Sequence, residues 1–297
     1  MRFFTILLLL LSSYSFGQIN AVVIDGDTKQ KIPYVNISVL GEDIGTTSDF
    51  RGHFIFEKDI ASKWLVFSAI GYKTKKLKVS EVNREVSLYQ EVTALDEVLI
   101  LPKKNTKAYV IGSFRKKKIN HYFSNGPNPW MIAKYFAYKS AYNETPFIHK
   151  LRLLTKSNKP DATFNIRLYS VGENGNPENY IFDENIFGKA KRGKKYTEID
   201  LSNLKIQIPE NGFFVVVEWL AIEKNKHDYT YTMEGKKKKY STHNFQPMIG
   251  SVPDSANGSC WIFSKGEWRR NKIPYDWPPK TKEYITRTLA IEMTLTN

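Results

Sequence analysis

The histidines of this chain are the residues best suited to hold a metal ion, and their spacing does not favour a metal site. A zinc peptidase brings histidines and a glutamate together on one ion, usually from His-x-x-Glu or His-Glu-x-x-His patterns. The five histidines are scattered and form neither pattern: His53, His121, His149, His227 and His243. His53 and Glu57 are four residues apart, but they fall on a predicted strand rather than a helix. The sequence therefore predicts no metal and no other cofactor.

Motifs for nucleophilic catalysis are also missing from the sequence. There is no Gly-x-Ser-x-Gly elbow and no phosphate-binding glycine loop. The single cysteine, Cys260, lies in a Cys-Trp-Ile-Phe run that is typical of a strand, so we expect it to be a buried apolar residue. With one cysteine the chain can form no internal disulfide and no cysteine-based zinc site. Carboxylates are plentiful, but no pair stands out for acid–base work. We expect a protein that is not an enzyme.

Lysine-rich runs are the first candidates for a binding site. Residues 189–195 read KAKRGKK, and a second run follows Gly235; its members are Lys236, Lys237, Lys238 and Lys239. Both runs are predicted at loop tips, where lysines often serve only solubility. A third basic run, residues 115–118, is predicted to be solvated.

The charge of the chain is divided unequally. Residues 1–102 carry 11 Lys and Arg against 12 Asp and Glu, a net charge of −1, and the whole chain carries +14. Residues 103–297 therefore carry +15. A neutral first part and a strongly basic second part indicate an anionic partner for the second.

Tryptophans near the end of the sequence are the second set of candidates. Trp268 is followed by Arg269 and Arg270, and Trp277 precedes two prolines. Tryptophan faces stack on flat apolar surfaces of ligands and pair with cations. Trp261 is predicted in the core, whereas Trp268 and Trp277 suit a ligand contact and a packing role equally well.

The first 17 residues resemble a targeting segment. Arg2 precedes an apolar run, Phe3 to Leu11, and small residues follow it. The run is too short to span a bilayer as a helix, so residues 1–17 are predicted to be a cleaved signal peptide. We expect an exported chain without a transmembrane segment, located in the periplasm or at the cell surface. Export argues against nucleic acid as the partner.

Short alternating strands divided by turn residues predict an all-β fold. Residues 18–101 show six or seven such strands, which is typical of a small β-sandwich, and the last is predicted at residues 95–101. Asp49-Phe50-Arg51-Gly52 places Asp first and Gly fourth, as a type I turn prefers. Residues 102–127 are rich in charge and turn residues and are predicted to be a linker.

Residues 128–297 are predicted to form a second β-sandwich of jelly-roll type. The strand at residues 130–138 competes with a helical alternative, and the aromatic residues favour the strand. Further strands are predicted at residues 148–153, 164–169, 197–201, 204–208, 261–263 and 288–295. Residues 212–219 form an apolar run that predicts a central strand.

Several spaced motifs in residues 18–101 occur together. Val22-Val23-Ile24-Asp25 leads to Ile32-Pro33-Tyr34-Val35-Asn36-Ile37, and Gly45-Thr46-Thr47-Ser48-Asp49, Ile70-Gly71-Tyr72 and Leu95-Asp96-Glu97-Val98 follow. This series resembles the carboxypeptidase-regulatory-like domain of Bacteroidetes envelope proteins. The resemblance implies a transthyretin-like sandwich without peptidase activity. In TonB-dependent receptors such a domain precedes a plug and barrel, and no plug is apparent here.

These observations lead to one expected function and two alternatives. We expect a non-catalytic, exported binding or structural protein of the cell envelope. Its first sandwich would serve for docking or spacing, and its basic sandwich would contact an envelope glycan, an anionic surface or a protein partner. The first alternative is an accessory module that binds polysaccharide through exposed tryptophans. The second is an unrecognised hydrolase.

Overall fold

A computed structural model describes residues 18–56, 60, 63–91, 106–126, 130–233, 235, 238–254, 258–272 and 286–297. Strands dominate these residues, and the only helices among them are four short 3-10 turns at Val79–Glu81, Lys116–Lys118, Ser140–Glu144 and Glu223–Asn225. In the part of the chain described, no helix is long and apolar enough to cross a membrane. The predicted all-β fold is confirmed. The predicted signal peptide lies outside the described residues.

Seven strands of the described residues belong to the first sandwich. They are β1 (Ile19–Asp25), β2 (Asn36–Val39), β3 (Gly45–Thr47), β4 (His53–Phe56), β5 (Trp64–Ser68), β6 (Lys75–Lys78) and β7 (Glu85–Leu88). One sheet has the order β4-β1-β7 and the other β3-β2-β5-β6. Alternate side chains of both sheets meet in a common core that includes Val23, Ile37, Phe54 and Phe67. The predicted strand at residues 95–101 lies outside the described residues.

The predicted turn between β3 and β4 has the expected form. Gly52 N donates to Asp49 O at 3.0 Å, and the Asp49 carboxylate accepts from Arg51 N at 2.8 Å and from His53 N at 2.9 Å. Gly52 has a φ of +72°, a conformation that glycine adopts without strain. The turn therefore depends on both of the residues that the sequence identified.

Fifteen strands make up the remainder of the described chain. They are β8 (Ala108–Ile111), β9 (Tyr122–Asn125), β10 (Met131–Phe136), β11 (Phe147–Ser157), β12 (Ala162–Val171), β13 (Pro177–Tyr180), β14 (Ile186–Ala190), β15 (Gly193–Asp200), β16 (Phe213–Trp219), β17 (Lys226–Thr232), β18 (Lys239–Pro253), β19 (Cys260–Ser264), β20 (Glu267–Arg270), β21 (Arg287–Leu289) and β22 (Ile291–Thr296). They belong to a seven-stranded and an eight-stranded sheet, and all their pairings are antiparallel.

The order of these strands gives the jelly roll that the sequence predicted. One sheet contains the neighbours β9-β18-β11-β15, and the other contains β10-β16-β12-β14. Strands that follow one another along the chain mostly lie in opposite sheets, which is the jelly-roll pattern. As predicted, β16 is central: it pairs with β10 on one side and β12 on the other, and every residue of it is buried.

Two parts of the second sandwich differ from the sequence prediction. The predicted linker, residues 102–127, contains β8 and β9, which pair with β22 and β18. The charged and turn-forming residues in this range show no clear strand periodicity. The sequence therefore did not indicate two strands whose partners lie far along the chain. The predicted strand at residues 204–208 is reduced to one bridge, between Gln207 and Phe147.

The two sandwiches contact each other at several points. Ala221 N donates to Thr47 Oγ1 at 3.1 Å, and the rings of Tyr34 and Phe187 meet edge to face with centroids 5.2 Å apart. The turn between β19 and β20 also reaches the first sandwich, where Lys265 O accepts from Gly41 N at 3.3 Å. These contacts leave a pocket between the two sandwiches.

Candidate anion-binding site

A cleft of about 850 Å³ opens at one edge of the jelly roll. In the described part of the chain its walls come from the segment between β8 and β9, the middle of β10, Ser259 before β19, and the adjoining ends of β18 and β21. The charged residues of its lining in the described part of the chain are Arg115, Lys118, Lys134, Asp254 and Arg287. Among these described residues there are four cations and one carboxylate. We call this the basic cleft.

The segment before β9 holds Arg115 and Lys118 at the rim of the basic cleft. Its anchor is Ile119, which is buried against Leu154 and Ala290 on the outer face of the eight-stranded sheet. The Ile119 carbonyl also accepts from Lys194 Nζ at 2.6 Å. Because the anchor is apolar and buried, the neighbouring cations are held at a fixed place on the surface.

Lys134 supplies a partly buried cation to the wall of the basic cleft. It lies within the otherwise apolar strand β10, and its Nζ donates to Leu289 O at 2.9 Å. Burial lowers the pKa of Lys134 to about 8, although the nearby Asp254 acts in the opposite direction. Near neutral pH the ammonium group is therefore charged, but it would be stabilised by an added anion.

Asp254 is the carboxylate of the basic cleft, and it already has three donors. It accepts from Gly258 N at 3.1 Å, from Ser259 N at 2.9 Å and from Ser259 Oγ at 2.7 Å. Its single negative charge offsets only part of the positive charge of the four described cations. The net charge of the lining side chains favours an anion.

Arg287 is buried at the base of the basic cleft, with 6% of its surface exposed. Its Nε donates to Ser251 Oγ at 2.8 Å, across the β18–β21 pair. A guanidinium fixed in this way presents a rigid positive group to the cleft.

The structure places the residues that the sequence singled out in other locations. Lys238 and Lys239 lie where the β17–β18 hairpin turns back, and Lys238 Nζ is 5.6 Å from the ring centre of Tyr240. Arg269 is exposed on β20, while the guanidinium of Arg270 lies 5.2 Å from the ring centre of Trp261, which is in the core as predicted. Lys236, Lys237 and Trp277 lie outside the described residues.

Trp268 lies on the pocket between the two sandwiches rather than on an open surface. Its ring meets Tyr169 and Phe263 edge to face, with centroids 5.8 Å and 5.3 Å apart. It is partly buried, so it both packs and lines a pocket. The candidate residues of the sequence thus fall at separate places among the described residues.

The sequence did not identify Lys134 or Arg287 as site residues. Only Lys134 has a sequence context that could have indicated a site. A charged residue inside the apolar run Met131–Phe136 is unusual in a buried strand. The basic run at residues 115–118 was noticed but interpreted as solvated.

Cys260 lies beside the basic cleft, opposite Lys134 in the pairing of β10 with β19, and none of the five histidines is among the described residues that line the cleft. His53 Nε2 is 2.5 Å from Asn20 Oδ1, and His227 Nε2 is 2.9 Å from Asn158 Nδ2. Within the described ranges, no three His, Cys, Asp or Glu side chains converge closely enough to hold a metal ion. Cys260 is buried, and burial raises the pKa of its thiol to about 12.

Comparison with known proteins assigns the first sandwich to a family. Residues 19–100 match the model of the CarboxypepD_reg-like domain, which confirms the resemblance seen in the sequence. Over 123 residues the chain is 28% identical to a TonB-dependent receptor of Formosa agariphila, which covers 39% of this chain. The chain spans only 12% of that receptor's length.

A comparison with solved structures gives a match over part of the chain. It contains the cysteine protease and lectin-like domains of a surface layer associated protein of Clostridium difficile. The match covers 57% of this chain and 32% of that one, at 12% identity and a TM-score of 0.34. The domain family and the receptor match support a binding or structural role associated with the cell envelope.

Proposed function

We propose that this chain is an exported, non-catalytic binding protein of the cell envelope, in the periplasm or at the cell surface. Its CarboxypepD_reg-like sandwich serves for docking or spacing, and its jelly roll binds an anionic group in the basic cleft. The observation that supports this proposal is the lining of that cleft, whose described residues include four cations and one carboxylate that is already hydrogen-bonded.

The shape and charge of the basic cleft favour a projecting anionic group over a flat surface. The carboxylate, sulfate or phosphate of an envelope glycan can enter a cleft of this size, whereas a flat anionic surface would meet only the rim cations Arg115 and Lys118. The charge of +15 on residues 103–297 would attract such a polymer from a distance, and the cleft would hold one of its groups.

The hydrogen bonds of the basic cleft hold its polar side chains in place, as a binding site requires. The Ser259 hydroxyl donates to Asp254, and Lys134 Nζ donates to the Leu289 carbonyl.

Titration of the full chain with dextran sulfate and with neutral dextran tests this function. The two polymers share a backbone and differ in charge. We expect calorimetry to detect binding of dextran sulfate at low salt and weaker binding at high salt, because salt screens exposed charges beyond about 8 Å at physiological ionic strength. Neutral dextran should not bind the cleft, and dextran sulfate should keep its length. Equal binding of both polymers, or shortening of the sulfated one, would refute the proposal.

A further inference from the structure

A second pocket lies between the two sandwiches and is separate from the basic cleft. Its volume is about 310 Å³, at the lower end of the roughly 300–1,000 Å³ of small-molecule sites. One wall comes from β5, β6 and their neighbours in the first sandwich, and the other from the outer face of the seven-stranded sheet. We call it the interdomain pocket.

Aromatic rings form much of the jelly-roll wall of the interdomain pocket. They are Tyr169, Tyr180, Phe263 and Trp268, and Tyr72 faces them from the first sandwich. The Tyr169 and Tyr180 ring centroids are 4.6 Å apart, and Trp268 packs edge to face against Tyr169. Rings that hold one another in this way give a fixed apolar wall.

A buried ion pair behind this wall fixes the tyrosines further. Arg167 Nη1 donates to the Tyr180 hydroxyl at 2.6 Å, while its Nε and Nη2 bind Glu218. Burial, with Tyr180 close by, raises the pKa of Tyr169 well above its usual value, so its hydroxyl keeps its proton. Burying an ion pair is costly, and here its remaining donor orients a residue of the pocket wall.

Apart from Val66 and Met131, the remaining described side chains that line the pocket are hydrogen-bonding groups from both sandwiches. Glu178 and Asn179 come from β13, and Ser68, Thr74, Lys76 and Glu91 come from the first sandwich. Two carboxylates and one lysine disfavour an anionic ligand. A purely apolar ligand would leave these groups without partners.

We propose that the interdomain pocket binds one ring of a neutral sugar. A pyranose has apolar C–H faces for the aromatic wall and hydroxyl groups for Glu178, Asn179 and Glu91. The pocket size fits a single ring better than an extended oligosaccharide. Since both sandwiches line the pocket, the bound ring would also contact both of them. This inference does not depend on the basic cleft.

Fluorine NMR of the full chain labelled with 5-fluorotryptophan tests this inference. The probes are the methyl pyranosides of glucose, galactose and mannose, and the Trp268 resonance is assigned with Trp268→Phe. We expect at least one sugar to shift this resonance saturably, with the same midpoint at low and high salt.

Two carboxylate variants make the test specific. Glu178→Gln should weaken the binding roughly tenfold, because a charged acceptor at the pocket is lost. Glu173→Gln changes an exposed carboxylate in the adjacent β12–β13 turn, outside the pocket lining, and should leave the binding unchanged. Absence of saturation with all three sugars, or equal affinity in Glu178→Gln, would overturn the inference. So would loss of sugar binding on charge reversal of Arg115 and Lys118, because it would place the sugar in the basic cleft.

Discussion

The guanidinium of Arg167 and the carboxylate of Glu218 form a two-pronged ion pair, with both N–O distances 2.7 Å. The side chains are 1% and 0% exposed. They lie diagonally across β12 and β16, because Arg167 is paired with Val216, two residues before Glu218, and Asn165 Nδ2 also donates to Glu218 at 3.2 Å. All the charge of this pair is therefore satisfied inside the protein.

Removing one partner of this pair should destabilise the jelly roll strongly. Glu218→Gln leaves the Arg167 charge buried without a counter-ion, and we expect it to lower the free energy of unfolding by about 3–5 kcal/mol. Urea denaturation followed by tryptophan fluorescence measures the change. The double variant Arg167→Met with Glu218→Leu should recover much of the loss, because no unpaired charge remains.

Glu292→Gln provides the control for this prediction. Arg152 and Glu292 are 2.5 Å apart on the outer face of the other sheet, where both side chains are less buried. A more exposed pair of this kind contributes about 0–1 kcal/mol. Similar losses for Glu218→Gln and Glu292→Gln would show that burial of the Arg167 pair is not what makes it important.

The turn at Gly52 should tolerate no side chain. A Cβ atom there would lie 2.7 Å from Val23 O and 3.0 Å from Ile32 O, and the φ of +72° is already unfavourable for other residues. We expect Gly52→Val to cost at least about 2 kcal/mol in thermal or urea unfolding. Asp49→Ala should cost less, about 1 kcal/mol, since it removes hydrogen bonds without creating a clash.

Gly41→Ala separates the clash from the backbone strain. Gly41 has a φ of +78°, but nothing lies within 4 Å of a Cβ atom built there. Its substitution should therefore cost only the strain, about 1 kcal/mol. If Gly52→Val unfolded like Gly41→Ala, the close approach of Val23 and Ile32 would have no energetic importance.

Binding of dextran sulfate should weaken as the pH rises through the pKa of Lys134. The protonated form binds the anion, and burial holds the pKa of this lysine at about 8 in the free protein. Affinity should therefore be constant in mildly acidic solution and fall above pH 8. Lys134→Arg stays charged throughout this range and should give a flat profile. The same decline in both proteins would exclude Lys134 as its cause.

The stability of the free protein should change with pH in the opposite direction. The Lys134 pKa is about 8 in the folded state, below the ordinary value of 10.5. Between these values the unfolded chain binds more protons than the folded chain, so the free energy of unfolding should rise with pH. Lys134→Met should reduce this rise in urea denaturation series. An unchanged rise would show that other groups produce it.

The sequence predicted local features of the fold well. The turn at Asp49 and Gly52 and the central strand β16 depend on residue types and periodicity within a short stretch, and both are present. β8 was missed because its pairing with β22 joins residues far apart in the chain, and its own residues are mostly exposed. Exposed edge strands have little periodic pattern to detect.

The basic cleft could not be predicted from the sequence for the same reason. Lys134 lies on β10, Asp254 directly after β18 and Arg287 on β21, so they are far apart in the chain, and the pairing of β10 with β19 and of β18 with β21 helps to bring them together. The charge excess of residues 103–297 indicated an anionic partner but not where it would bind. The lysines at residues 236–239 were more conspicuous because they are consecutive.

Charge reversal at two places tests the central claim most directly. One variant combines Arg115→Glu with Lys118→Glu at the rim of the basic cleft, and the other combines Lys238→Glu with Lys239→Glu at the β17–β18 hairpin. All four side chains are exposed and both variants change the net charge equally. We predict that the first variant weakens dextran sulfate binding at least about tenfold, roughly 1.4 kcal/mol, and that the second has a much smaller effect. Equal losses in both variants, or a loss confined to the hairpin variant, would contradict binding in the basic cleft.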